Sequence, residues 1–115
     1  MKKEIAILLP YKEKYTLKDS AAASIWVKDY LNISSLNKKT LVFGNLSKNS
    51  KPITNNYVNL NISNIKFRKN YFYTRKFLDK FNEYNFDIVE IHNRPESLIY
   101  LIKKKFKYKI YFCLS

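Results

Sequence analysis

The sequence predicts an α/β domain, an open parallel sheet of roughly five strands with helices on both faces. Three observations predict it. Ile5-Ala6-Ile7-Leu8-Leu9 is a continuous apolar run stopped by Pro10, the pattern of a strand buried on both faces. Strand-like segments then alternate with segments whose apolar residues recur every three or four positions, which implies parallel strands joined by right-handed crossovers. Finally, Asp87-Ile88-Val89-Glu90-Ile91-His92-Asn93-Arg94-Pro95-Glu96-Ser97 runs from an apolar strand into a polar turn and then a helix.

The elements follow in order. After the first strand, the polar and basic stretch 11–18 (YKEKYTLK) is a loop. Asp19 or Ser20 can cap the helix that follows by accepting a bond from an early helical N–H. Ala22, Ile25, Trp26, Tyr30 and Ile33 form its expected apolar face, and Ser-Ser-Leu-Asn at 34–37 ends it. Thr40 to Phe43 makes the second strand, with Gly44 providing the turn after it, and 45–56 is a polar loop. Tyr57 to Ile62 is a third strand, and its alternating Asn59 and Asn61 suit an edge with one solvated face. Ile65 to Arg68 extends it or forms a connector. Tyr73, Phe77, Phe81 and Tyr84 predict a second helix over 71–84. A fourth strand covers 87–92. A helix over 95–105 follows, with Leu98, Leu101 and Ile102 on its apolar face, and YKIYFCL at 108–114 is the fifth strand.

The length of 115 residues suits one domain, 1–115, and is too short for two. A hydrophobic content of 46% sets the chain apart from disordered sequences. Twenty-two Lys and Arg against nine Asp and Glu give a net charge of +13. Such a charge could attract nucleic acid, acidic lipid head groups or phosphorylated substrates; compositional bias toward Lys and Asn explains it equally well. The apolar run near the N-terminus is shorter than the roughly 7–15 residues of a signal peptide or the about 20 of a membrane span. The expected location is the cytoplasm, at most peripheral at a membrane surface.

Several chemistries lack their residues. Pro10-Tyr11-Lys12-Glu13 stands where a dinucleotide fingerprint would place glycines, and no glycine precedes Gly44. A P-loop is absent too. One His and one Cys offer no zinc motif, nucleophile pair or internal disulfide, so neither a metal site nor a bound cofactor is expected.

The stretch 87–97 carries the main candidates. Pro95 suits the first helical position, where a missing N–H costs nothing, and Glu96 favours the positive end of that helix. His92, Asn93 and Arg94 are thus presented where a strand's carboxyl end meets a helix, the place where open α/β sheets bind ligands. His92 could serve as a base, an orienting group or a phosphate contact, or else as a hydrogen-bonded filler. Arg94 can fork onto a phosphate or carboxylate, or remain a solvated charge. The small residues of Asp19-Ser20-Ala21-Ala22-Ala23-Ser24 could let a substrate approach the helix start, or the alanines merely pack. Two basic clusters remain. One is Lys66, Arg68, Lys69, Arg75, Lys76 and Lys80 among Phe67, Tyr71, Phe72 and Tyr73; the other is Lys103 to Lys105 with Lys107 and Lys109. They fit nucleic acid or an anionic membrane, or a solvated helix face.

Together, Ile5 to Glu13, Ala21 to Val27 with Asp29, and Asp87 to Glu96 resemble the amino-terminal domain of bacterial glycosyltransferases of the two-Rossmann-domain (GT-B) architecture. The similarity is to family 4 type retaining enzymes that build surface polysaccharides, and Glu90-Ile91-His92-Asn93-Arg94-Pro95 is its most specific stretch. The resemblance implies a Rossmann-like domain that receives a sugar or lipid-linked glycan acceptor. A second Rossmann-like domain, outside these 115 residues, would bind the nucleotide-sugar. By matching position, Ala22, Ala23 and Ser24 would lie beside the sugar phosphates, and His92, Asn93, Arg94 and Glu96 would line the acceptor side. The sequence departs from the family in having alanines where its first loop carries glycine. It also reads Phe112-Cys113-Leu114-Ser115 where the family shows a histidine near the reacting centre, so no catalytic residue is assigned.

A fifth strand without a following helix leaves one sheet face to be covered, which leads to the expectation of a fragment that transfers no sugar alone. The alternative is a basic module that binds nucleic acid or an anionic membrane without catalysis; nucleic acid is the less expected partner. A receiver or flavodoxin-like domain fits poorly, because the acidic cluster of the first and the hydroxyl-rich phosphate loop of the second are missing.

Overall fold

The computed structural model describes residues 4–16, 22–33, 37–47, 50–54, 56–84, 86–104 and 106–113, without the side chains of 22–24, 32, 33 and 37. Five parallel strands form one sheet in the order β3-β2-β1-β4-β5. They are β1 (Ile5–Leu8), β2 (Thr40–Gly44), β3 (Tyr57–Asn59), β4 (Ile88–His92) and β5 (Lys109–Cys113). The helices are α1 (Ala22–Ile33), α2 (Lys69–Phe81) and α3 (Pro95–Lys103), and a 3-10 turn at Asn37–Lys39 leads into β2. This is a Rossmann-like α/β fold, as the alternating pattern requires.

Every residue of β1 and β2 is buried, because helices cover both faces of these central strands. On one face Ala6, Leu8, Leu41, Phe43, Val89 and Ile91 pack against Tyr73, Phe77 and Phe81 of α2 and Leu101 of α3. On the other, Ile5, Ile7, Leu9 and Val42 pack against Val27 and Leu31 of α1 and Tyr15 of the first loop. Pairing of Leu8 with Ile91 and of Ile7 with Glu90 carries this division onto β4. Val89 and Ile91 therefore face α2 and α3, whereas Ile88, Glu90 and His92 face the α1 side.

The helices correct three details of the sequence expectations. In α1 the buried residues are Val27 and Leu31, while Ile25 is 48% and Trp26 43% exposed. The helix turns its compact aliphatic residues onto the crowded centre of the sheet, so the wide indole goes to the rim. In α3, Ile102 is 61% exposed and Ser97 is buried instead, its hydroxyl 2.9 Å from that of Thr74 in α2. The second helix stops at Phe81 rather than 84; Tyr84 lies beyond it, against Phe43 and Phe86.

Gly44 is the last residue of β2, opposite Asn59, and makes no positive-φ turn. Its missing side chain admits the Tyr57 ring, whose hydroxyl would meet a Cβ there. The third strand is the expected edge but ends at Asn59, because Asn59 fastens a loop: its amide oxygen accepts from Leu46 N–H at 2.9 Å and its amide nitrogen donates to Leu46 O at 2.7 Å. The expected caps at Asp19 and Ser20 and the small-residue position Ala21 lie outside the described residues, as do Ser34, Ser35 and Leu36.

Candidate functional site at the carboxyl edge

Strand order reverses between β1 and β4, since β2 and β3 lie to one side and β5 to the other. The carboxyl ends of β1 and β4 thus flank the topological switch point, where open sheets leave a crevice. Tyr11 follows β1 and Asn93-Arg94 follow β4, which puts them side by side: the Arg94 guanidinium lies 5.2 Å from the Tyr11 ring centre. Lys12 approaches the same ring at 5.9 Å. Asn45, after β2, donates to Tyr11 O at 3.1 Å and accepts from Ile62 N–H at 3.1 Å, so one side chain ties three loops of this edge together.

The turn from β4 to α3 is sharp. Asn93 takes the left-handed conformation, φ 58°, which Asn tolerates better than most residues. Its N–H donates to Cys113 O at 2.9 Å. The following Pro95 opens α3 with Glu96 in the first turn, as the sequence pattern requires. Arg94 Nε is buried without a hydrogen-bond partner among the described residues.

His92 is only 1% exposed. Trp26 of α1 lies over it, ring centres 5.2 Å apart, and stacks on Tyr30 at 5.4 Å. Neither imidazole nitrogen has a hydrogen-bond partner among the described residues; Nε2 stands 3.5 Å from Glu90 Oε2. Cys113 pairs with His92 across the β4–β5 ladder, and burial, with the Glu90 carboxylate second, pushes its thiol pKa upward.

The predicted residues are therefore split. His92, Asn93 and Arg94 share the carboxyl edge, but His92 lies beneath Trp26. Glu96 points elsewhere, lining a groove of about 560 Å³ between the start of α2 and α3 with Arg68, Lys69, Tyr71, Tyr100 and Lys103. The backbone of Ala22, Ala23 and Ser24 opens α1, and their side chains lie outside the described residues. Sequence reasoning missed Tyr11 and Trp26, because a loop tyrosine and a helix tryptophan carry no signal that one will lie beside Arg94 and the other over His92. It also missed Glu90 and Cys113. Glu-x-His in a strand places two side chains on one face, a signal available in advance; the addition of Cys113 needed the strand pairing.

The fold is that of a small Rossmann-like α/β domain, with Tyr11, Lys12 and Arg94 gathered at its switch point. No protein-family model, curated protein or solved structure matches the chain. No helix among the described residues is long and apolar enough to cross a membrane.

Proposed function

We propose that the chain is the acceptor-side wall of a glycosyltransferase that uses a nucleotide-sugar, of the kind that builds surface polysaccharide or lipopolysaccharide. The observation that carries this reading is the pairing of Tyr11 with Arg94 at the ends of neighbouring strands β1 and β4, with Trp26 laid over His92, the last residue of β4. The exposed ring of Trp26 and the partly buried ring of Tyr11 suit the C–H faces of a sugar. A guanidinium suits the phosphate of a lipid-linked acceptor, because its planar fork matches phosphate oxygens. His92 acts here as a positioning residue beneath Trp26. In this reading a second Rossmann-like domain holds the nucleotide-sugar, and transfer occurs in the cleft between the two walls, at the cytoplasmic face of a membrane. One wall alone lacks the proximity and the charge stabilisation that make up catalysis.

The chain has one tryptophan, so its emission reports on Trp26. Titration with oligosaccharide and lipid-phosphate-sugar acceptors is expected to shift that emission saturably, Arg94→Ala is expected to abolish the shift, and incubation with nucleotide-sugars is expected to give no turnover. Substantial turnover by the 115-residue chain would overturn the one-wall reading, and an emission unmoved by any glycan would overturn the acceptor role.

One observation favours a second reading, a basic binding module. The α2–α3 groove brings Arg68, Lys69 and Lys103 together with Tyr71 and Tyr100, and the Arg68 guanidinium sits 4.2 Å from the Tyr71 ring centre. Binding of generic nucleic acid or anionic vesicles that weakens steeply with salt, and is lost in Arg68→Ala/Lys103→Ala, would select this reading.

A further inference from the structure

We propose that Glu90, His92 and Cys113 form a binding site for a divalent transition-metal ion of the zinc class. The site shares His92 with the acceptor reading above, but it is argued from separate observations and stands or falls without that reading. Glu90 and His92 are two residues apart on β4 and share its α1-side face. Cys113 is the ladder partner of His92 on β5, so it shares that face as well. One imidazole nitrogen, one carboxylate oxygen and the thiol sulfur all lie within 4.8 Å of one another. Ligands of a tetrahedral zinc ion stand roughly 3.3–3.7 Å apart, given bonds of about 2.0–2.3 Å. The imidazole and carboxylate already meet that spacing at 3.5 Å. Side-chain rotation of the half-buried Cys113 can supply the remainder.

A second observation points the same way. His92 is almost wholly enclosed, yet neither of its nitrogens finds a hydrogen-bond partner among the described residues, and neither does the buried Oε2 of Glu90. Folded proteins seldom leave such atoms unsatisfied, and a cation bound between the imidazole and the carboxylate, 3.5 Å apart, satisfies both. The mixed N, O and S donors select a borderline-soft ion over calcium or magnesium, which take oxygen ligands. A carboxylate and a thiolate together cancel the charge of a divalent ion, so the site can hold a cation inside a chain of net charge +13. Three protein ligands leave a fourth position for water or another oxygen donor.

The chain contains one cysteine and one histidine, so each reports on the site without ambiguity. The untagged chain, stripped of metal and kept reduced by a phosphine, is titrated with Co²⁺. The expected result is a sulfur-to-cobalt charge-transfer band that saturates at one ion per chain, large shifts of the His92 ring protons, and displacement of both signals by Zn²⁺. Cys113→Ser, checked for folding by circular dichroism, is expected to lose the band entirely, and Glu90→Gln to weaken Co²⁺ binding. In the unaltered chain, absence of the band, saturation at half an ion per chain, or unmoved His92 protons would each overturn the proposal, whatever the variants do.

Discussion

Tyr73 connects α2 to the carboxyl edge through a single oxygen. Its ring is fully buried, and its hydroxyl donates to Leu9 O at 2.6 Å. Burial holds its pKa well above the ordinary 10.0, with Tyr57 and then Glu13 adding to the effect; burial likewise raises Tyr15 and Tyr57. The native state therefore keeps phenol protons that the unfolded state releases. This stabilisation is complete below pH 10.0 and is lost as pH climbs from there through the folded-state values. Cooperative alkaline unfolding is expected to begin near that point, with tyrosinate absorbance and loss of circular dichroism rising together. Tyr73→Phe is expected to cost about 1–3 kcal/mol at neutral pH, through the unmet Leu9 carbonyl. It should also flatten the alkaline decline, because one proton fewer is linked to unfolding. The spacing of Tyr73, Phe77 and Phe81 announces the buried face of α2. The acceptor for the hydroxyl, 64 residues away, is not legible in any local pattern.

At the scale of elements, the pairing of β2 with β3 depends on one absent side chain. Gly44 lies under the Tyr57 ring, which is stacked on Tyr15 with ring centres 5.5 Å apart and so has little room to retreat. Gly44→Ala is expected to destabilise by about 1–3 kcal/mol, as overpacking of a filled site does. Tyr57→Phe should cost nothing or stabilise, because its buried hydroxyl has no hydrogen-bond partner among the described residues. The double variant should lose less than Gly44→Ala alone, a coupling that urea unfolding of the four proteins measures. A lone glycine after an apolar run reads naturally as a turn; its contact with Tyr57, thirteen residues on, becomes visible only once the two strands are paired. The face of α1 was hidden for a similar reason. Apolar residues occur nearly all round that helix, so periodicity marks a helix without deciding which side faces the sheet. The shape of Ile5, Ile7, Leu9 and Val42 decides for Val27 and Leu31.

Across the whole molecule, charge works against compactness. The chain carries +13, while the half-exposed pair Lys39–Glu4 at 3.7 Å and the exposed pair Lys80–Glu83 at 3.3 Å are surface ion pairs of the sort that contributes little. Self-repulsion among the lysines therefore outweighs pairing, and salt screens it: the Debye length falls from about 30 Å at 0.01 M to about 8 Å at 0.15 M. The thermal midpoint is expected to rise steadily with sodium chloride over that range. A midpoint that falls would mean that paired charges dominate. The same screening should weaken any anionic ligand in the α2–α3 groove.

The sequence by itself determined the fold class, the order of elements and the edge position of β3, because continuous apolar runs, alternation and helical recurrence are local properties that each strand or helix carries within itself. It also located the β4–α3 turn, since Pro95 and Glu96 act within a few residues. Tertiary structure alone decided what meets at the carboxyl edge. Parallel pairing brings Tyr11 beside Arg94, lays Trp26 over His92, and sets Cys113 on the face shared by His92 and Glu90. Such meetings depend on strand order, register and the rotation of a helix on the sheet. These are set by packing over the whole core, and no stretch of sequence carries them alone.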